Sequence, residues 1–384
     1  MRTLFAHSDS PSSSKALQEL LEHCRAQLGA GTPKAGLLFC GVEYDQPLIL
    51  AGIQAAWPGL PIIGASSDGE LSSVLGCVDD SVLLTLFEGE ELTVHAGVGR
   101  DLSADIPGAV AAALANNTVT RPTLCVTTFA PTTNASEVIR ELTRQLGDVG
   151  CPVVGGLSGD HREFNKTMEY FGGEALRDAL PLLLIQGDFS VSWGIGSGWS
   201  PFGERHAVTR SSGHEVQEID GRPALDFYRE QYGEVPTESL GEYPLAVFAE
   251  SGDSSLRAIL SRDDATGALR FAGEVPEGAE VQVTQVLDEG ILSGSRDALA
   301  EALDRFQGSA PEIALIFTCA ARKWVLGPDA DEELGVLRQL AQDRGLQELA
   351  IVGLYCFGEI APAGATLENA FHNETCVSVV LGPK

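Results

Sequence analysis

The chain has 384 residues, 44% of them hydrophobic and 21% charged, with a formal net charge of −29 at pH 7. That length calls for two or three domains rather than one small core, and the composition is that of a folded globular chain. So acidic a surface repels nucleic acid and anionic membranes and favours basic partners or cations, so no nucleic-acid partner is expected.

The opening segment, Met1 to His7, shows no signal-peptide apolar core, and no apolar run nears the roughly 20 residues that span a bilayer. No membrane insertion is expected, and the reading is a cytoplasmic protein. Eight cysteines occur without a Cys-x-x-Cys pair, as expected for buried free thiols in a reducing compartment.

Leu17, Leu20, Leu21, Cys24 and Leu28 lie at helical spacing, so residues 15–28 read as a helix after a polar lead-in. Residues 35–40 read as a buried strand, and 46–56 as a helix ended by Trp57-Pro58-Gly59. Residues 61–64 read as a strand entering a polar loop, 65–73. Residues 81–87 and 92–98 read as a hairpin across Glu88-Gly89-Glu90, and 106–115 as a helix. Residues 123–129 read as a strand and 134–146 as a helix capped by Asn134. Residues 152–155 read as a strand entering the loop 156–162. Antiparallel strands are expected at 167–171, 180–186 and 190–195.

A Gly/Pro-rich passage at 194–203 punctuates the chain. Beyond it, Pro223 starts a helix after a strand and turn. Strands are expected at 245–248, 256–260, 269–271, 281–286, 313–318, 350–354 and 376–381, and helices at 293–306 and 331–342. The expected fold is α+β: mixed, largely antiparallel sheets layered with helices, in two domains. The expected divisions are a lead-in and helix (1–32), an N-terminal domain (33–212) and a C-terminal domain (213–384).

A strand, a helix and a strand ending in glycine occur at 35–64, 123–155 and 313–353, which suggests an internal repeat. Gly64 is followed by Gly69-Glu70, and Gly353 by Gly358-Glu359, at the same offset. In the middle copy Gly155 is followed by Gly159-Asp160, one residue shorter.

Polar clusters sit at strand ends, where a sheet presents side chains to a ligand. They are Phe317–Arg322 with Cys319, Gly353–Ile360 with Tyr355 and Glu359, and Phe371–Thr375 with His372, Asn373 and Thr375. Arg322 has two readings: a two-pronged clamp for a carboxylate or phosphate, or a salt bridge in an acidic chain. Glu359, and Glu70 in the first half, either accept from a ligand ammonium or cap loop backbone. Ser66, Ser67 and Asp68 add polar groups beside Glu70. His372 beside Asn373 either assists a Cys319 nucleophile or satisfies loop backbone while Cys319 packs as a small hydrophobe. His161 is a weaker candidate still. Metal spacings and phosphate loops are missing, so no metal or cofactor is expected.

On these residues the chain resembles the FIST family, an N-terminal FIST domain followed by a FIST C domain. The C-terminal likeness rests on Ile219–Ala224, Phe317–Arg322, Gly353–Pro362 with its Gly-Glu, and His372–Thr375. The N-terminal likeness rests on Ile63–Glu70, the 81–87 strand, and Val153 with Gly155 and Gly156. The resemblance implies a signal-transduction sensor of small molecules such as amino acids. It also implies a separate partner: a histidine kinase, a chemoreceptor or a cyclic-dinucleotide enzyme. Arg322 and Glu359 then hold the two ends of a zwitterion, and Asn373 and Thr375 add neutral hydrogen bonds. The alternatives are a hydrolase or transferase using Cys319, and a ligand-independent adaptor.

Overall fold

The computed structural model describes every residue except 148, 149, 250, 251, 253 and 365–367. Its organising unit is a parallel strand pair joined across helix, found three times. In the first copy β2 (Pro33–Gly41) leads through α2 (Gln46–Ala56) to β3 (Ile62–Ser67), where Leu38 lies opposite Gly64. In the second, β8 (Leu124–Thr127) leads through α4 (Ala135–Leu146) to β9 (Val153–Gly156), with Thr127 opposite Gly155. In the third, β23 (Ile313–Cys319) leads through α7 (Ala320–Leu326) and α8 (Asp331–Asp343) to β24 (Ala350–Cys356), with Ile316 opposite Gly353. Parallel neighbours need such a crossover, and helices beside them cover the outer face.

Each copy has the same flanking parts. A strand and helix precede it: β1 (Arg2–Ser8) with α1 (Ser13–Leu28), β7 (Thr93–Arg100) with α3 (Ile106–Ala113), and β13 (Phe189–Gly196) with α6 (Asp288–Arg305). A short hairpin and an antiparallel strand follow it. The first copy has β4 (Glu70–Ser72), β5 (Gly76–Val78) and β6 (Val82–Glu88). The second has β10 (Glu169–Phe171), β11 (Glu174–Leu176) and β12 (Ala179–Gln186). The third has β25 (Glu359–Pro362), β26 (Asn369–His372) and β27 (Cys376–Pro383).

Three six-stranded sheets result: β1-β6-β2-β3-β10-β11, β7-β12-β8-β9-β25-β26 and β13-β27-β23-β24-β4-β5. Each copy keeps four strands and gives its hairpin to another copy's sheet, in cyclic order. The inner faces of all three sheets share one core, with Phe39, Val126 and Phe317 among its members. Two outer cores lie under the helices. Internal repetition is thus a property of the fold, and the architecture is the expected mixed, largely antiparallel α+β.

The glycine after the crossover is a packing requirement. A Cβ on Gly64, Gly155 or Gly353 would stand 1.7, 1.9 or 2.0 Å from the carbonyl oxygen of the residue opposite it. Beyond these glycines the chains close a ring of backbone hydrogen bonds. Gly159 N donates to Ser66 O (2.9 Å), Asp68 N to Tyr355 O (2.9 Å) and Phe357 N to Leu157 O (3.2 Å). Donors lie four residues, and acceptors two, after the three glycines.

Between β13 and α6 the third copy carries an extra segment. It holds β14 (Ser200–Pro201), β15 (His206–Ser212), β16 (Glu215–Ile219), β17 (Arg222–Pro223), α5 (Ala224–Tyr232), β18 (Leu245–Phe248), β19 (Ser254–Arg257), β20 (Ile259–Arg262), β21 (Leu269–Phe271) and β22 (Glu280–Gln285). These strands form one nine-stranded sheet with its own core, including Phe227, Tyr228 and Phe271.

Three expectations need correction. The segments 81–87 and 92–98 are strands but not a hairpin: β6 pairs with β1 and β2, and β7 with β12. The link at 88–92 crosses from one copy to the next, and both strands take partners distant in sequence. The polar stretch 65–73 is mostly strand, in β3 and β4, turned at Gly69 with φ 127°. The lead-in before the first helix contains β1, which packs beside β6.

Candidate functional site

Glu70, Glu169 and Glu359 each open a donated hairpin, at β4, β10 and β25. Each lies opposite the residue that follows a crossover glycine: Leu354, Ala65 and Gly156 respectively. All three are fully buried. Glu70 accepts from Ser67 Oγ and from Ser81 Oγ at 2.5 Å. Glu169 accepts from Ser158 Oγ at 2.8 Å and the Ala179 amide at 3.4 Å. Glu359 accepts from Thr375 Oγ1 at 2.6 Å and the Thr375 amide at 3.1 Å. Burial pushes these carboxyls up to about 8, 7 and 8. Their shared position, beside the strand that closes each copy, is that of a seam between sheets. The middle counterpart is therefore Glu169 and not Asp160. In the first and third copies the glutamate follows its glycine by six residues, but in the second by fourteen.

Arg322 lies within α7 and is fully buried. Its Nε donates to Glu333 Oε1 at 2.9 Å, and its Nη2 to Ile291 O at 2.7 Å and Ser295 Oγ at 2.5 Å. Glu333 also accepts from Ser295 Oγ (2.6 Å), Thr318 Oγ1 (3.2 Å) and Tyr355 OH (2.7 Å). This places Arg322 and Tyr355 in a network joining α6, α7, α8 and the sheet. Neither Arg322 nor Glu359 lines either of the two cavities described below.

The extra residues of the second copy have a use. They form the loop 159–167, which leaves the hydrogen-bonded ring and folds over Asp160. Asp160 accepts the amides of Phe164 (2.8 Å), Asn165 (2.8 Å) and Lys166 (2.7 Å). His161, Arg162 and Phe164 take φ of 56°, 69° and 53°, the left-handed turn that side chains rarely adopt. Between this loop, the ring and the extra segment lies a cavity of about 320 Å³. The loop supplies Arg162 and Phe164, and the extra segment Thr237, Gly241, Ala258, Ile259 and Leu260. The third copy supplies Cys319, Ala321, Trp324, Phe357, Asn373 and Glu374.

The walls are apolar and aromatic. Phe164 meets Phe357 at 4.6 Å between centroids, and Trp324 meets Phe357 at 6.0 Å. The Arg162 guanidinium stacks 3.8 Å above the Trp324 ring and pairs with Glu242 at 3.2 Å. Trp324 Nε1 donates to Asp68 Oδ2 at 2.9 Å, and Lys323 lies 3.5 Å from the same oxygen. Asp68 thus ties the first-half loop to this wall. Ser66 Oγ accepts the Met168 amide at 2.9 Å and Ser67 holds Glu70, so both support the backbone around the site.

The polar floor is different. Glu374 has φ 57°, and among the described residues neither of its carboxylate oxygens has a hydrogen-bond partner of normal geometry, the Cys319 thiol facing it as a weak donor. The Oδ1 and Nδ2 of Asn373 have none either. The two residues are 0% and 1% exposed. Buried polar groups are nearly always paired, and each one left alone costs about 1–3 kcal/mol. Burial pushes the Glu374 carboxyl well up, and the charge of Glu359 adds to the shift. The Cys319 thiol beside it is raised well above its usual range by burial and then by Glu374. The equivalents of Glu374, one residue before Ser81 and Ala179, are Asp80 and Asp178. The Asp80 side chain is 55% exposed, and Asp178 is occupied by Ser103 N (2.8 Å) and Oγ (2.7 Å). Only the third copy's acid is roofed by the extra segment.

His372 and Thr375 line a larger groove of about 1150 Å³, which meets the small cavity at Asn373. The His372 ring sits 3.1 Å from Ala361 O, and burial lowers its pKa to about 4. The structure therefore places His372 in a different cavity from Cys319. Of the residues singled out from sequence, it brings Cys319 and Asn373 into the small cavity, with Asp68 behind its wall. Sequence reasoning missed Glu374, although it lies inside a motif already noted. It also missed Trp324, Arg162 and Phe164. The signal for the last two was the long gap between Gly155 and the next buried glutamate.

A FIST N domain model matches residues 34–222 and a FIST C domain model matches residues 224–362. An uncharacterized protein of Methanocaldococcus jannaschii is 26% identical over 179 residues, covering 40% of this chain and 34% of its own. Uncharacterized proteins of Mycobacterium bovis and Mycobacterium tuberculosis are each 28% identical over 244 residues, covering 59% of both chains. The chain thus spans between a third and three-fifths of the length of these relatives. The crystal structure of a cyanuric acid hydrolase from A. caulinodans aligns with 100% of this chain and 99% of its own, at 10% identity and a TM-score of 0.35.

Proposed function

The chain belongs to the FIST family, and from that premise we propose that it senses a small organic molecule in the cavity floored by Asn373 and Glu374. FIST domains are associated with sensing in signal transduction. The observation that carries the reading is the pair of buried, unpartnered polar side chains beneath apolar and aromatic walls. A few converging polar groups in an apolar pocket are how small ligands are oriented. A volume of about 320 Å³ suits a ligand of amino-acid size.

Three parts of the fold meet at this cavity: the ring, the 159–167 loop and the extra segment. A ligand that binds better when these parts are closed shifts the protein toward that arrangement. The closed surface is then what a separate cytoplasmic partner reads: a kinase, a chemoreceptor or a cyclic-dinucleotide enzyme. The site residues in this reading are Cys319, Asn373, Glu374, Trp324, Phe357 and Arg162.

A thermal-shift panel of amino acids and amines on the wild type and on Ala258→Phe tests the reading. Ala258 lines the cavity at 7% exposure, so the larger ring fills the site. The wild type is expected to gain several degrees with a ligand that leaves the variant unmoved. Equal shifts in both proteins would place the ligand elsewhere.

A further inference from the structure

This inference rests on the reading of the small cavity as a ligand site, and concerns which end of the ligand enters it. The floor is mostly acceptors: two carboxylate oxygens of Glu374, with the Cys319 thiol as a weak donor beside them, and Oδ1 of Asn373, whose Nδ2 is the one amide donor. None of these four Asn373 and Glu374 atoms meets a normal hydrogen-bond partner among the described residues. The walls include the rings of Trp324, Phe357 and Phe164, and aromatic rings attract a cation through their quadrupoles. The cationic side chain of this cavity, Arg162, is stacked on Trp324 and paired with Glu242. The groups facing Glu374 are Glu359, Glu242, the Cys319 thiol and Arg322, and Arg322 lies outside the cavity lining with its Nε and Nη2 given to Glu333, Ile291 and Ser295. A ligand carboxylate sent inward is tolerated only while Glu374 stays protonated, whereas an ammonium pairs with its carboxylate. An ammonium group has three donors and no acceptor, and so matches this floor.

We propose that the ligand is a primary amine that enters ammonium end first, with Glu374 as its counter-ion and Asn373 as an additional acceptor. The apolar body of the ligand lies against Phe357 and Trp324, and any carboxylate it carries points outward, away from Glu374. The two copies related to the third hold Asp80 and Asp178 at this place without the roof, so the amine site is single.

Burial favours the neutral carboxyl of Glu374 in the empty protein. An arriving ammonium favours the carboxylate instead. The Glu374 O–H bond breaks, its electron pair stays on the carboxylate, and the proton leaves to solvent. Binding of an amine therefore releases a proton, and affinity rises with pH by up to about tenfold per unit while the empty carboxyl remains protonated.

The test uses phenethylamine, phenylalanine, N-acetylphenylalanine and phenylpropionate on the full chain, by thermal shift and by calorimetry in two buffers of different ionisation enthalpy. The two free amines are expected to stabilise the protein and to release close to one proton each. The acetylated and carboxylate compounds are expected to do neither. Glu374→Gln keeps the shape and removes the counter-ion. Its fold is checked by its own unfolding curve, and it is expected to bind the amines at least tenfold more weakly. Equal binding of phenethylamine and N-acetylphenylalanine, or full retention of amine binding by Glu374→Gln, overturns the amine proposal while leaving a ligand site. If none of the four compounds moves the wild type, the site reading falls and the amine proposal falls with it.

Discussion

Arg322 Nε donates to Glu333 Oε1 at 2.9 Å, and neither side chain has any exposed surface. The pair joins α7 to α8 behind the candidate site, and Ser295, Thr318 and Tyr355 complete it. Removing one member of such a pair leaves a buried charge without its partner, which costs about 3–5 kcal/mol. Arg322→Ala is expected to lose that much in urea unfolding. The double change Arg322→Met with Glu333→Leu is expected to lose far less, because no charge is stranded. Equal losses in the two proteins would contradict the pairing.

The crossover glycines are expected to tolerate no side chain. Gly64→Ala, Gly155→Ala and Gly353→Ala each drive a methyl into a backbone carbonyl that cannot turn away. Overpacking of this kind costs about 1–3 kcal/mol or more. Gly335, in α8, has open space where its Cβ would stand. Gly335→Ala is therefore expected to stabilise by about 0.5–1 kcal/mol. Urea midpoints of the four variants check the contrast.

The three seam glutamates make stability fall as pH rises. Unfolded, each carboxyl ionises near 4.5, and in the folded chain near 8, 7 and 8. The folded state therefore holds extra protons through neutrality. The stability they contribute is complete below 4.5 and is lost as pH climbs through the folded values. His7 and His372, both lowered to about 4, act in the opposite sense only below about 6.5. Unfolding midpoints between pH 6.5 and 8.5 are thus expected to decline, and Glu70→Gln is expected to flatten the decline. A wild type that gains stability over that range would refute the assignment.

The thiols are expected to be slow. Cys319 and Cys356 are buried and raised well above the ordinary thiol range by burial. Cys24, Cys77, Cys151 and Cys376 are raised to about 12. The thiolate is the reactive form, so a disulfide reagent at pH 7.5 should label the folded chain slowly and all eight cysteines in urea. Rapid labelling of Cys319 alone would favour a thiol-dependent enzyme.

The repeat was legible because Gly64–Glu70 and Gly353–Glu359 keep one spacing, whose first four residues run through the hydrogen-bonded ring and whose glutamate opens the donated hairpin. The middle copy hid its glutamate because the added residues of its loop carry Asp160 to the place where spacing alone expects an acid. Asp160 instead ties that loop together. The apparent hairpin failed for a related reason. Two alternating runs across a short turn look paired, but each run already had partners in a sheet that closes through distant strands. Arg322 and Glu359 were legible as residue types at strand ends, but sequence carries no measure of burial. Both ended inside the protein, with partners of their own. Glu374 stood out only once the roof over it was seen, because its two equivalents remain acidic without enclosing anything.

The most direct measurement of the central claim is hydrogen exchange with and without an amine that stabilises the chain. The account predicts added protection in the 159–167 loop, in residues 237–241 and 258–260, and in the segments bearing Trp324, Phe357 and Glu374. Protection confined to the larger groove around Arg140 and Glu301, with those segments unchanged, would contradict it.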